Sequence, residues 1–207
     1  MKIYITRHGE TQWNSERRMQ GRKNSSLTPK GMEDAEKLKE RLASVDFDKI
    51  YASPLGRAME TAEIIKGDRN LPVETLPDFM EMSFGQWEGR KVEEIEAVYG
   101  QKYRNFWEAP EKYEPMGGES FPQMLKRIEK GLKVLAENAE NQENTEKEAV
   151  VLLVVHAVVI KSIYVLVKNL PMEEFWNPPF MHGTNLTILE IKDGKKKFLL
   201  EGDISHL

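Results

Sequence analysis

The sequence predicts a three-layer α/β/α sandwich: a mostly parallel sheet flanked by helices, with a small helical or irregular insertion over one end. Three observations carry that expectation. Short runs rich in Ile, Val and Tyr alternate with segments of 3.6-residue apolar period, as strands alternating with crossover helices require. The run Val150–Val155 is apolar at every position, which suits a strand covered on both faces. Helix-start chemistry recurs at Thr28-Pro29, at Ser53-Pro54 and at Ser120 with Gln123.

In chain order, residues 2–6 read as the first strand, followed by a polar loop to Leu27. Thr28 is placed to cap a helix opened by Pro29, with Leu27 and Met32 spaced as a hydrophobic staple and Ala35, Leu38 and Leu42 on one apolar face. A second strand at Lys49–Ala52 leads to Ser53-Pro54, read as another cap and first-turn pair, and Ala58, Ala62 and Ile65 continue a buried helix face that Gly67 ends. Val73–Thr75 reads as a third strand, 78–89 as an irregular loop and Val92–Tyr99 as a short helix. Residues 100–118 mix aromatic, proline and charged residues with little period, and so belong to an insertion of about 90–118 rather than to the layered frame. Ser120 and Gln123 form a capping box ahead of the stripe Phe121, Leu125, Ile128, Leu132 and Leu135. After a solvated connection at 138–147 come the strand Val150–Val155, a helix beyond His156, and a hairpin of 186–191 with 198–201 about Asp193-Gly194.

A chain of 207 residues suits one domain spanning 1–207, able to bury roughly 70% of its unfolded surface. With 40% hydrophobic and 31% charged residues, disorder is excluded over most of its length. The net charge of −4 gives no support to a nucleic-acid partner, so an anionic ligand needs a local basic site, for which Arg7, Arg17, Arg18, Arg22 and Lys23 are available. The absence of cysteine removes disulfide and thiolate chemistry and fits a reducing compartment; with no cleavage signal ahead of the first strand, a cytoplasmic location is expected. Residues 149–167 approach the length of a membrane span, but His156 and Lys161 interrupt them. A lysine near a bilayer centre costs about 2.5–3.5 kcal/mol, so a buried strand and helix are expected and no membrane partner.

Three polar sites fall at one edge of the expected sheet: Arg7-His8 after the first strand, Ser53 with Arg57 after the second, and His156 after the Val-rich strand. Carboxyl ends of parallel strands are where α/β sheets bind ligands. Alone, Arg57 reads as a solvated helix charge and His156 as a hydrogen-bonded core histidine; sharing one edge, they read differently. Arg57 adds a guanidinium to a helix N-terminus that already favours an anion. Two histidines and two arginines around one pocket suit phosphoryl transfer, which spreads charge over three oxygens and needs several donors at once.

The segments that carry chemistry resemble a known family. Arg7-His8-Gly9-Glu10-Thr11 with Asn14, Gln20-Gly21, Leu27-Thr28 with Gly31, Ser53-Pro54 with Arg57-Ala58 and Glu60-Thr61-Ala62, Glu81 with Phe84-Gly85 and Trp87-Glu88-Gly89, Gly117-Gly118-Glu119-Ser120, His156, and Asp203-Ile204-Ser205-His206-Leu207 together resemble the histidine phosphatase, or phosphoglycerate mutase-like, superfamily over nearly the whole chain. The chain looks similar to its bacterial broad-specificity phosphatase branch. The resemblance implies that His8 is phosphorylated during turnover, that Arg7, Arg57 and His156 grip the phosphoryl oxygens with help from Asn14, that Gln20, Gly21 and Ala157 complete the phosphate and substrate site, and that Glu81 is the acid-base residue. It implies one phosphoglycerate mutase-like domain, 1–207, whose insertion caps the active site, with no metal and no cofactor. The implied partners are a small phosphate monoester and inorganic phosphate as product; a homodimer is left open.

Two positions depart from the family pattern. Val155 and Ala157 stand where many relatives have a hydroxyl residue and glycine, which predicts modest tuning. His182 reads equally as a pocket residue or an exposed loop histidine, and His206 as terminal decoration. In the insertion Arg104 stands alone before Phe106 and Trp107, without the paired arginine that phosphoglycerate mutases use for a substrate carboxylate, while Tyr113, Phe180 and Met181 add apolar surface. The expected activity is hydrolysis of varied phosphate monoesters through phosphohistidine. The alternatives are a cofactor-dependent phosphoglycerate mutase and a phosphoprotein-binding or phosphocarrier module.

Overall fold

A computed structural model describes residues 1–140 and 148–207. Six strands form one sheet in the order β3-β2-β4-β1-β5-β6, with β1 at Lys2–Arg7, β2 at Lys49–Ala52, β3 at Val73–Thr75, β4 at Val150–Val155, β5 at Leu186–Lys192 and β6 at Lys195–Asp203. The first four are mutually parallel, whereas β5 runs antiparallel to β1 and β6 antiparallel to β5. A two-residue turn at Asp193 (φ 50°) and Gly194 (φ 71°) closes their hairpin, the left-handed conformation that Asp-Gly favours.

The period of two along each strand sorts the core into two layers. On one face Ile50, Ala52, Leu152 and Val154 meet Ala35, Leu38, Ala58 and Ala62 from α2 (Pro29–Arg41) and α3 (Gly56–Lys66). On the other, Ile3, Ile5, Leu153 and Val155 meet Phe121, Ile128, Val159 and Ile163 from α6 (Phe121–Glu140) and α7 (Ala157–Lys168). β4 is therefore buried on both sides, as its unbroken apolar run requires. Each such side chain contributes about 1.5–3 kcal/mol by leaving water.

The capping chemistry is mostly as the sequence implies. The Thr28 hydroxyl accepts from the Gly31 N–H at 3.0 Å with Pro29 in the first turn, and Ser120 and Gln123 exchange bonds at 2.9 and 3.4 Å. Four expectations need correction. Ser53 does not cap α3, whose N-cap is Leu55 without a side-chain bond; the serine hydroxyl lies against His156 instead, 2.8 Å from its Nε2. Met32 is 39% exposed while Leu27 is buried, so the expected staple is at most half covered. Residues 101–108 are not aperiodic but form a helix, α5 (Gln101–Glu108), which follows α4 (Val92–Tyr99). Its apolar residues Tyr103, Phe106 and Trp107 do recur at helical spacing, a signal masked by the charges between them and by Pro110 just beyond. Finally, α6 runs on to Glu140, so only 141–147 of the expected connection remain, and they lie outside the described residues.

No described helix is long and apolar enough to cross a membrane.

Candidate active site

Register brings the polar residues together. Arg7 pairs with Val155, and Ala52 with Val154, so His8, His156 and Ser53 are each the first residue past aligned strand ends. The His8 N–H bonds Val155 O and the Ser53 N–H bonds Val154 O, both at 3.0 Å, carrying the ladder one step into the site. A short helix α1 (Gln12–Ser15) follows the first of these ends. Gly9 and Gly31 make the approach of α2 possible, since a Cβ on either would strike backbone of the other segment.

These ends open into a cavity of about 710 Å³. Its polar floor holds Arg7, His8, Asn14, Gln20, Gly21, Arg57, Glu81 and the start of α7 at Ala157 and Val158. All the site residues expected from the sequence line it except His156, which is fully buried beside it with its ring 5.2 Å from that of His8.

His8 is held in one tautomer. Arg57 donates from Nε to His8 Nε2 at 3.1 Å, so Nε2 carries the lone pair, and Nδ1 keeps the proton it donates to Gly9 O at 2.7 Å. Burial, then the charges of Arg57 and Arg7, hold His8 well below the ordinary histidine value of 6.5. Burial, then the charge of Arg57, holds His156 down as well. Arg57 gives one N–H to Lys23 O and one to Gly21 O, both at 2.8 Å, and its backbone N–H to Asn24 Oδ1, so two of its five guanidinium N–H groups are left over. Desolvation lowers it to about 10, so it remains a cation at neutral pH.

Around His8 the site has unspent donors. Arg7 gives one N–H to Met181 O at 2.7 Å, but its Nε, like His156 Nδ1, is buried without a hydrogen-bond partner among the described residues; the acceptor Gln20 Oε1 is buried without one too. The Asn14 carbonyl oxygen is taken by the Thr11 N–H and hydroxyl. Buried orphan donors cost about 1–3 kcal/mol each, a cost that a bound anion removes. Glu81 closes the floor opposite. Its oxygens accept the Met82 N–H at 2.9 Å and the Val158 N–H at 3.3 Å, yet burial outweighs those bonds and raises its pKa above the ordinary 4.5.

The upper wall is aromatic: Phe84, Tyr103, Phe106, Trp107, Trp176 and Phe180. Tyr113 is not part of it and instead packs behind, 5.1 Å from the Phe106 ring, with burial pushing its phenol up. Arg104 bonds Gln101 on its own helix and does not reach the cavity. Arg17 and Arg18 do reach it, but are paired with Glu93 at 2.8 Å and Glu16 at 2.6 Å; Arg22 and Lys23 stay outside, Arg22 3.6 Å from Glu119 and Lys23 on Glu88 O. His182 is exposed against the Phe180 ring. His206 is more than decoration, since its Nδ1 meets Arg41 at 3.1 Å. Val155 is fully buried and away from the cavity wall, whereas Ala157 is on it. Lys161, read from the sequence only as an interruption of an apolar run, lies in the cavity wall; a charge at i+4 from Ala157 on a buried helix was the available signal. Among the described residues no cluster of three or more His, Asp or Glu could hold a metal ion.

A strand-end histidine with arginine donors and buried orphan N–H groups is an anion site of a recognisable kind, and residues 3–204 match the family model described as histidine phosphatase superfamily, branch 1. The chain belongs to that superfamily. It is 31% identical over 177 residues, 86% of this chain and 81% of the relative, to phosphoserine phosphatase 1 of Hydrogenobacter thermophilus. GpmB of Salmonella paratyphi A, whose name makes it a probable phosphoglycerate mutase, is 28% identical and covers 100% of this chain and 95% of its own. Among solved structures, Bacillus stearothermophilus YhfR superposes with a TM-score of 0.91 at 40% identity, over 99% of this chain and 98% of the other. This likeness extends to the six-stranded α/β frame.

Proposed function

We propose that the chain is a phosphatase that hydrolyses small phosphate monoesters of varied structure through a phosphohistidine on His8, without a metal. The observation that carries this reading is the His8 Nε2 lone pair, held by Arg57 at the cavity floor beside the buried Arg7 Nε, which has no partner among the described residues. Nε2 attacks phosphorus as the ester P–O bond breaks, and Arg7, Arg57 and His156 take up charge on the three equatorial oxygens. Asn14, Gln20, Gly21 and the Ala157 N–H complete the cradle. Glu81, whose pKa burial raises, gives its proton to the departing alkoxide; as a carboxylate it then takes one from the water that cleaves the P–N bond, releasing inorganic phosphate.

The aromatic wall supports breadth, because apolar surface accepts leaving groups of many shapes without demanding fixed hydrogen bonds. The cysteine-free composition supports a cytoplasmic setting. A mutase reading is favoured by the likeness to GpmB and opposed by Arg104 lying away from the cavity. The deciding experiment is phosphate release from a panel of monoesters in excess chelator, run beside phosphoryl exchange between phosphoglycerates. Release from several unrelated esters supports the phosphatase; exchange that outruns release makes the chain a mutase, and neither leaves a phosphate-binding module.

A further inference from the structure

Residues 175–181 have no helix or strand of their own, yet they form one side of the cavity and end on a catalytic arginine. Phe175 is buried against Phe121 at 4.4 Å between ring centres. Trp176 packs on Trp107 at 4.6 Å and donates its indole N–H to Phe106 O at 2.6 Å. At the far end, Met181 O accepts from Arg7. Between these anchors Lys161 Nζ donates to Trp176 O at 3.0 Å and to Pro178 O.

Lys161 is only 5% exposed and pairs with no carboxylate among the described residues. A buried ammonium without a counter-ion is costly, and an apolar residue at this helix position would avoid that cost. Desolvation brings its pKa to about 8, so it keeps its charge near neutral pH. Its charge is spent on backbone dipoles of a segment that has no ladder of its own to hold it. The helix geometry fits, since a side chain at position 161 leans back toward Ala157 and the floor of the site.

We propose that Lys161 is a positioning residue for the phosphate site: it fixes the strap 175–181, so that Met181 O pins one arm of Arg7 and leaves the remaining N–H groups aimed at the phosphoryl oxygens. Met181 is the third residue after Pro178, a span of at most about 10 Å of extended chain. Displacement at the tether is therefore transmitted to the carbonyl that holds Arg7. The inference rests on the phosphate-site reading above, but not on turnover.

The test is a double-mutant cycle between K161M and R7A, with inorganic phosphate binding by calorimetry as the readout and melting temperature recorded throughout. K161M is expected to weaken phosphate about tenfold in the Arg7 background and less than about twofold in the R7A background, because its effect passes through Arg7. K161R, which keeps donors for both carbonyls, is expected to restore most of the affinity. Equal losses in both backgrounds, or no loss in K161M alone, would overturn the proposal. Should K161M not fold, K161Q, whose shorter amide reaches fewer carbonyls, enters the same cycle with the same reading. A wild type that binds phosphate but hydrolyses no ester removes the phosphatase reading and leaves this test intact; a wild type that binds no phosphate removes both.

Discussion

Arg57 and His8 are joined ring to guanidinium: Arg57 Nε donates to His8 Nε2 at 3.1 Å while His8 Nδ1 is tied to Gly9 O at 2.7 Å. A neutral imidazole with its lone pair on Nε2 is the form that can attack phosphorus, and the neighbouring cations make protonation of that nitrogen unfavourable. The contact thus selects both tautomer and charge. In the proposed reaction it also places a guanidinium beside the oxygens that gain charge.

Replacing His8 with alanine is expected to abolish turnover, to below a few per cent of wild-type kcat, with the fold kept, because the side chain ends a strand and supplies chemistry more than packing. Acid-labile, base-stable phosphate trapped on the wild type by rapid quench should be missing from the variant. Retained turnover would move the nucleophile elsewhere.

Arg7→Ala and Arg57→Ala should each lower kcat/KM by about two or more orders of magnitude, as lost transition-state contacts in an anion site do. Their effects on stability should differ. Arg57 also ties Gly21 O and Lys23 O, so its loss unpairs two carbonyls and loosens the loop that carries Gln20, whereas Arg7 has one backbone partner, Met181 O. A larger fall in melting temperature for Arg57→Ala, with weaker phosphate inhibition in both, is the expected pattern. An unchanged phosphate inhibition constant in both variants would place the anion site elsewhere.

The parts of the molecule governed by local rules were legible in the sequence. The alternating apolar residues of β1 and the unbroken run of β4 need only the period of two and double-sided burial, and Thr28-Pro29 needs only capping chemistry. Arg7, His8 and Arg57 were legible as cavity residues because they lie at or after strand ends, whereas Glu81 was marked only by the family resemblance. Ser53 was misread because a serine before proline satisfies the cap pattern, while its real partner, His156, is 103 residues away in the chain. α5 was hidden because its helical spacing is carried by aromatics interleaved with charges. Lys161 was legible as an anomaly and not as a part, since its partners are backbone carbonyls, which no residue pattern encodes.

Buried neutral histidines make stability depend on pH in a stated direction. His8 and His156 have folded pKa values depressed below 6.5, so below that pH the unfolded chain binds protons that the folded chain refuses. Stability contributed above pH 6.5 is lost as pH falls, at up to about 1.4 kcal/mol per pH unit for each histidine. Glu81 acts oppositely: its folded pKa is raised above 4.5, so its contribution is present below 4.5 and is lost as pH rises through the folded value. Denaturant melts between pH 5 and 8 should therefore show a fall toward acid that is shallower in His8→Ala. Parallel pH profiles for the two proteins would mean that His8 titrates normally in the folded state.

Glu81→Gln separates proton donation from binding. An aryl oxide leaves without much help, whereas an alkoxide from a sugar or glycerol ester leaves poorly unless protonated. Burial raises the Glu81 pKa, and its two oxygens accept the Met82 and Val158 N–H groups; the amide keeps one of those acceptors and has no acidic proton to release. It also cannot accept one from the attacking water, so hydrolysis of the phosphohistidine should slow for every substrate, by about 10²-fold. On top of that common loss, phosphohistidine formation from alkyl esters should fall far more than from aryl esters, as read by single-turnover trapping before water attack limits the rate. The ratio of the two formation rates is the decisive quantity. Equal slowing of alkyl and aryl esters would show that Glu81 is not the proton donor. Glu88, whose Oε1 is already engaged by the Arg22 and Phe84 N–H groups, is a poor replacement, so a bound water would then have to carry the proton.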